Sequence, residues 1–338
     1  MAQRFFGIPP GGQHECEILG SGQEAEEGGT RWKACKKNPG HEKFISVQDF
    51  SDFYLSKLDT ASQRDRLKAV IDLTVRLRVN CTSVDRPDGS PFSGARGSDI
   101  LRLGTGFIQD VKGPLSIKHC PCAECNGKVL RKFWIFMVYT AHHVVYNTEE
   151  AKATKVDMFY DCDSCLRDGR MKSTLGFEVI KTVPENDVCH MLCVTHDEAL
   201  GERLKSAELS WGSGGYTLNL SGLDLLPPCE RRVFLTLVVS HPHGQAKRIT
   251  LGEGRESESP HVEYNAATCP GSSGAPVFEC TTDLGDGRIL LWLPPVHSGC
   301  LPAASAQPQG QTDQRNLLSR SPQERETKLE QRNYANIW

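Results

Sequence analysis

The chain reads as an all-β protein, and its span from residue 73 to residue 300 suits two small barrels. Three observations lead there. Short runs rich in valine, isoleucine, leucine and aromatics recur throughout that span, clusters of Gly, Pro, Asp and Ser separate them, and no helical pattern of about 10 to 15 residues intervenes as a parallel βαβ sheet would require.

In chain order, residues 11–30 hold six glycines and five glutamates with little to bury, which predicts a disordered acidic linker within a mostly disordered extension, residues 1–60. Phe44–Leu58 and Ser62–Ile71 carry apolar residues at helical spacing, and Leu73–Val79 alternates apolar and charged residues as a half-buried strand does. Strands are then predicted over Ile100–Val111, Lys132–Thr140, Val156–Tyr160, Val188–Thr195, Arg232–Ser240 and Ile289–Leu293. The main domain is drawn at residues 61–300. From Leu301 the composition turns to Ala, Ser, Gln, Pro and Gly, and Ser321-Pro322 supplies an N-cap and a first-turn proline, so residues 301–338 read as a linker with one short helix.

Charge and apolar content narrow the partners. With 39 basic and 42 acidic residues and a net charge of −3, the chain lacks the basic footprint of a nucleic-acid partner. Its longest apolar stretches, Phe133–Tyr139 and Ile289–Val296, fall well short of the roughly 20 residues of a membrane helix. The amino end meets Pro9 before any signal-peptide core develops, which predicts a cytoplasmic or nuclear protein. In that compartment the 14 cysteines are expected to hold metal or to sit buried as thiols.

Cys269-Pro-Gly-Ser-Ser-Gly-Ala-Pro-Val277 is the most informative stretch. Glycines on both sides of Ser273 allow a sharp turn that presents the hydroxyl and aims the Gly271 and Ser273 amides at one point, as an oxyanion hole requires. A serine nucleophile needs a base, and Thr140-Ala-His-His-Val144 closes an apolar strand with a histidine pair. The base needs a buried carboxylate, and Asp187 stands before the apolar run Val188–Val194, with Asp161 and Asp163 as rivals.

These stretches together resemble the trypsin-like (chymotrypsin-fold) serine peptidases, in an intracellular form. Gly104-Thr-Gly-Phe-Ile108 is similar to the strand ahead of the family's histidine, Thr140–Val144 to T-A-x-H-[CV], Asn186-Asp187-Val188 to [ND]-D-[IV], and Gly271–Pro276 to G-D-S-G-G-P. The order His, Asp, Ser is the family's, and the resemblance covers residues 73–300. It implies two six-stranded antiparallel β-barrels, Ser273 as nucleophile, His143 rather than His142 as general base, and Asp187 as the group that orients it. It also implies an acyl-enzyme endopeptidase acting on protein or peptide substrates without a catalytic cofactor. A catalytically idle peptidase fold that binds a protein partner is the alternative. Ser272 replaces the family's aspartate, and Val144 stands where secreted members carry a cysteine, while Cys269 and Cys300 match a family pair and are expected here as free thiols.

Pro295-Val-His-Ser-Gly299 is similar to the G-x-H-x-G segment of bacterial glutamyl endopeptidases and picornaviral cysteine peptidases. In those groups the histidine, with a threonine five residues before the nucleophile, binds a Glu or Gln side chain. The resemblance therefore implies a substrate pocket of Thr268, His297 and Ser298, with Ala267 in place of a counter-charge for Lys or Arg. Finally, Cys122-Ala-Glu-Cys125 and Cys162-Asp-Ser-Cys165 have the spacing of two knuckles on one structural zinc, with His119 and Cys120 as spare donors. That zinc knuckle is expected as an insertion in the first barrel.

Overall fold

The computed structural model describes residues 13–20, 24–58, 61–116, 120, 122, 125, 131–212, 217–219, 233–256, 261–283, 288–291, 295–301 and 332–336. The chain opens with strands β1 (Gln13–His14) and β2 (Glu17–Leu19), helix α1 (Glu24–Lys33), strand β3 (Ile45–Ser46) and helices α2 (Val47–Phe53) and α3 (Ala61–Leu73). Strands β4 (Thr74–Val79), β5 (Leu101–Leu115) and β6 (Phe133–Ala141) follow, then helix α4 (Thr148–Lys152) and strands β7 (Thr154–Met158), β8 (Lys172–Val183) and β9 (Val188–Thr195). Helix α5 (Glu198–Gly212) leads to β10 (Thr217–Asn219), β11 (Val233–Ser240), β12 (Arg248–Glu256), β13 (His261–Tyr264), β14 (Val277–Asp283), β15 (Arg288–Leu291), β16 (Val296–Leu301) and β17 (Arg332–Asn336).

These strands form two antiparallel sheets. In the first, the pairings run β5–β4–β7–β8–β9–β6 and return from β6 to β5, with β2 added along β5. In the second they run β16–β17–β13–β12–β11–β14, and a bridge between Pro276 and Val296 brings β14 back to β16. Strands β1 and β3 pair with β16 and β12, while β15 and β10 continue beyond β14. No helix among the described residues is long and apolar enough to cross a membrane.

Helix α5 joins the two sheets, and its apolar face explains why. Leu200, Leu204, Ala207 and Trp211 recur at helical spacing and are buried, and the Asp197 carboxylate caps the first turn by accepting the Leu200 N–H at 3.0 Å. Trp211 then meets Phe278 of the second sheet at 5.3 Å and Phe107 of the first at 6.1 Å, edge to face. Helix α3 packs on α5 through a face that includes buried Leu67, Val70 and Ile71. One continuous core of buried residues thus draws on both sheets and both helices.

Three expectations are corrected. Residues 13–20 and 24–58 are not a disordered extension, since they form β1, β2, α1, β3 and α2 and dock on both sheets. Residues 332–336 are not part of a terminal helix or linker: they form β17, which fills the gap between β13 and β16. The helix expected from Ser321 lies outside the described residues. The 15-residue α5 also interrupts the strand-only pattern, because its burial against the sheets outweighs the β-rich surroundings.

Candidate active site

Strand register brings the first two polar residues together. Ala141, the last residue of β6, pairs with Val188, the first of β9, so the turn after β6 faces the residue before β9. The His142 N–H donates to the Asp187 carbonyl at 2.9 Å, the His143 N–H to the Asp187 carboxylate at 2.8 Å, and His143 Nδ1 lies 2.7 Å from the other carboxylate oxygen. Asp187 holds a left-handed backbone (φ 51°), which aspartate tolerates better than most residues, and Ser298 Oγ donates to its carboxylate.

The third comes from the loop between β13 and β14. Gly271 (φ 97°) and Gly274 (φ 88°) bracket Ser273 in conformations that side chains disfavour, and a Cβ at Gly274 would strike the Thr105 carbonyl. The turn is pinned to both sheets, with the Thr105 N–H donating to the Ser273 carbonyl at 2.8 Å and the Gly274 N–H to the His297 carbonyl at 2.8 Å. Ser273 Oγ therefore lies 2.7 Å from His143 Nε2. Burial, reinforced by the nearby Arg86 charge, holds His143 well below the usual imidazole range. A neutral ring whose Nδ1–H donates to Asp187 leaves Nε2 as acceptor for the Ser273 hydroxyl, the arrangement a general base needs. His142 instead lies near the Tyr146 ring, at 5.1 Å.

The cleft between the sheets holds the chain's own amino-terminal segment. Gln13 and His14 pair with Cys300 and Gly299 of β16, and Glu17, Ile18 and Leu19 pair with Leu103, Arg102 and Leu101 of β5. Between them the Glu15 carbonyl accepts from the Gly271 N–H at 2.6 Å and the Ser273 N–H at 3.3 Å, and the Glu15 N–H lies 3.1 Å from Ser273 Oγ. The His14 ring stacks on His143 at 3.9 Å.

The Glu15 side chain enters the pocket expected from the His297 segment. Its carboxylate accepts from Thr268 Oγ1 at 2.5 Å and His297 Nε2 at 2.8 Å, and it forms an ion pair with Lys37 Nζ. The Tyr264 hydroxyl, 2.6 Å from His297 Nδ1, donates there and leaves the Nε2 proton for the carboxylate. Ser298, expected in the pocket, has its hydroxyl on Asp187, while its carbonyl accepts from His14 Nδ1 at 3.3 Å. Lys37 carries no motif and was not foreseeable; nor was the buried Arg86, whose guanidinium donates to the His143 carbonyl at 3.0 Å and to Glu150 at 2.7 Å.

Burial alone would raise the Glu15 carboxyl, but the Lys37 charge and the His297 hydrogen bond outweigh it and hold it far below its ordinary 4.5. A depressed carboxyl stabilises the docked state fully above its undocked value and loses that contribution as pH falls toward its docked value. In a Ser273→Ala chain, Glu15→Gln is therefore expected to lower the melting temperature clearly at neutral pH, with the difference shrinking as pH drops below 4.5. Calorimetry across that range checks it, and a pH-independent difference would remove the electrostatic account.

The cysteines group differently from the expected pairing. Cys120, Cys122 and Cys125 surround His196, with sulfurs 3.3, 3.3 and 3.2 Å from Nε2, and His196 Nδ1 donates to the Lys132 carbonyl at 2.9 Å. Trp134 pairs with Thr195, so His196 follows at the strand end opposite Phe133, within reach of the Lys132 carbonyl. Cys162 and Cys165 are 3.0 Å apart and pack with Tyr160, Met171 and Ala246 in a separate cluster, so they are not part of this set. Three thiols and one imidazole, with the second ring nitrogen fixed by a carbonyl, fit a closed tetrahedral zinc. Neither Cys269 nor Cys300 forms a disulfide.

No family model and no curated protein matches the chain. Among solved structures, the serine endoprotease from Yersinia pestis matches 70% of this chain and 63% of its own at 13% identity, with a TM-score of 0.32. The chain thus spans a little under two thirds of that protein's length. The Rv3671c protease from M. tuberculosis, in its active form, matches 73% of this chain and 83% of its own at 14% identity, with a TM-score of 0.33. Both neighbours are proteases of low overall similarity, with TM-scores too low to carry an argument about this chain.

Proposed function

We propose that the chain is a serine endopeptidase that hydrolyses peptide bonds after glutamate through an acyl-enzyme, on the two barrels of a trypsin-like fold. The observation that carries this is the hydrogen-bonded line from Asp187 through His143 to Ser273, beside two amide N–H groups that converge on a peptide carbonyl. Ser273 attacks, His143 takes its proton and returns it to the leaving amine, and the Gly271 and Ser273 amides stabilise the oxyanion. Lys37 adds a full positive charge to Thr268 and His297, which favours glutamate over its neutral isostere glutamine. Digestion of a mixed peptide library is expected to yield new carboxyl termini at Glu far more often than at Gln, and almost none at Lys or Arg. Cleavage without a Glu excess would reject the specificity, and no cleavage that depends on Ser273 would reject the enzyme.

The Cys120, Cys122, Cys125 and His196 set is proposed as a structural zinc site that clamps the polar β5–β6 connection outside the catalytic centre. Cys122→Ser or His196→Ala is expected to remove about one zinc equivalent, read by elemental analysis. Unchanged zinc content would dismiss the site.

A further inference from the structure

We propose that the chain cuts itself between Glu15 and Cys16, which rests on the peptidase reading and names the first substrate of that same site. The amino-terminal segment lies in the cleft as a substrate would, not merely across it. Residues before Glu15 add to β16 and residues after Cys16 add to β5, so the chain runs extended from one sheet to the other past the nucleophile. Three independent contacts set the register on Glu15. Its carbonyl lies on both oxyanion amides, its side chain fills the Thr268–His297–Lys37 pocket, and the preceding His14 covers the His143 ring. A one-residue slip would put His14 or Cys16 at the carboxylate-binding pocket and leave Lys37 and His297 without their anion.

In the cut, Ser273 Oγ bonds to the Glu15 carbonyl carbon as His143 Nε2 accepts its proton. The bond to the Cys16 nitrogen breaks as that proton passes to the new Cys16 amine. Water then adds to the ester, releases the Glu15 carboxylate and restores the Ser273 hydroxyl. Ser273 is fully buried beneath the uncut segment, so an outside peptide reaches it only when the segment leaves. After the cut, Gln13–Glu15 are held by the two-residue β1, the His14 contacts and the Glu15 pocket, whereas Cys16 onward remains tied through β2.

Intact mass and amino-terminal sequencing of the full chain test this. Wild type is expected to convert to a form beginning at Cys16 at a rate unchanged by dilution, while Ser273→Ala stays whole and Glu15→Lys is not cut at that bond. Activity on an added Glu peptide should rise in step with the conversion. A Glu15–Cys16 bond that stays intact in a wild-type chain that hydrolyses the Glu peptide overturns the inference and leaves the peptidase reading standing. An intact bond without hydrolysis, in wild type and in Glu15→Lys alike, overturns both, and conversion that slows on dilution overturns the intramolecular step.

A separate cluster carries a second inference: the geometry points to a zinc-type site made by Cys35, His41, His243 and Cys269. Their ligand atoms all lie within 4.8 Å of one another, with Cys269 Sγ 3.6 Å from Cys35 Sγ and 3.5 Å from His41 Nε2. His243 Nε2 is buried with no hydrogen-bond partner, while Nδ1 lies 2.6 Å from the Glu17 carboxylate, the support that metal-binding imidazoles commonly have. Asn38 donates from its backbone to Cys35 Sγ at 3.5 Å and from its side chain to Cys269 Sγ at 3.2 Å, and Trp32 stacks on His41 at 3.6 Å. Such a metal would tie the amino-terminal region to the loop that carries Ser273. Elemental analysis and Co2+ absorption of the full chain test it: Cys35→Ser and His41→Ala are each expected to lose about one equivalent that Cys122→Ser retains. Metal content unchanged by the first two substitutions, or a wild-type chain free of metal, overturns the site.

Discussion

Ser273→Ala and His143→Ala are each expected to lower kcat/KM on a Glu peptide by about 10⁴-fold or more, and the double variant to fall little further. The two residues share one proton across 2.7 Å, so either loss disables the same step. Asp187→Asn should come close to them for a different reason. Asp187 accepts from the His143 backbone N–H, from Nδ1 and from Ser298, and an amide there presents a donor to one of those donors. The imidazole is then biased toward the tautomer with its proton on Nε2, facing Ser273, where it cannot act as base. Hydrolysis of purified variants, followed by mass spectrometry to identify the cut, measures this. Ser273→Ala retaining more than about a hundredth of the activity would assign the hydrolysis to another group or protein.

The parts of this site that were legible in the sequence are those set by local geometry. Gly271 and Gly274 announce a strained turn around Ser273, and the apolar strands β6 and β9 announce where a buried histidine and carboxylate can end up side by side. His297 and Thr268 were legible through the segments they sit in. The segment 13–20 was not, because two-residue and three-residue strands have no periodicity, and its docking comes from Glu15 and from sheet edges supplied more than 80 residues away. Knuckle spacing shows that two cysteines can share a metal but not which other ligands meet them. The β6–β9 register decides that, bringing His196 rather than Cys162 and Cys165 to Cys122 and Cys125. Strand β17 was hidden for a related reason: a five-residue strand with one glycine-free polar run gains its stability from the two neighbours it joins.

Glu150→Ala is expected to destabilise the fold by about 3–5 kcal/mol, although Glu150 touches no substrate. Its carboxylate accepts from Arg86 Nε and Nη2 at 2.7 Å each, from Arg102 Nη2 at 2.8 Å, and from the Ser83 and Tyr146 N–H groups at 3.0 Å each. Arg86 and Arg102 are almost wholly buried, so removing their anion leaves two desolvated cations facing each other. The loss is large against the roughly 5–15 kcal/mol that holds a typical domain together. Arg86 also donates to the His143 carbonyl, so the turn that carries the base should loosen and activity fall even at temperatures where the variant stays folded. Glu149, exposed at the adjacent position with a single hydrogen bond to Ser83 at 2.5 Å, is the control, and Glu149→Ala should cost about 1 kcal/mol or less. Denaturant titration of both variants on the uncut Ser273→Ala background separates the cases. A Glu150→Ala midpoint no lower than that of Glu149→Ala would mean that the arginine pair finds other partners and that the network is dispensable to the turn behind His143.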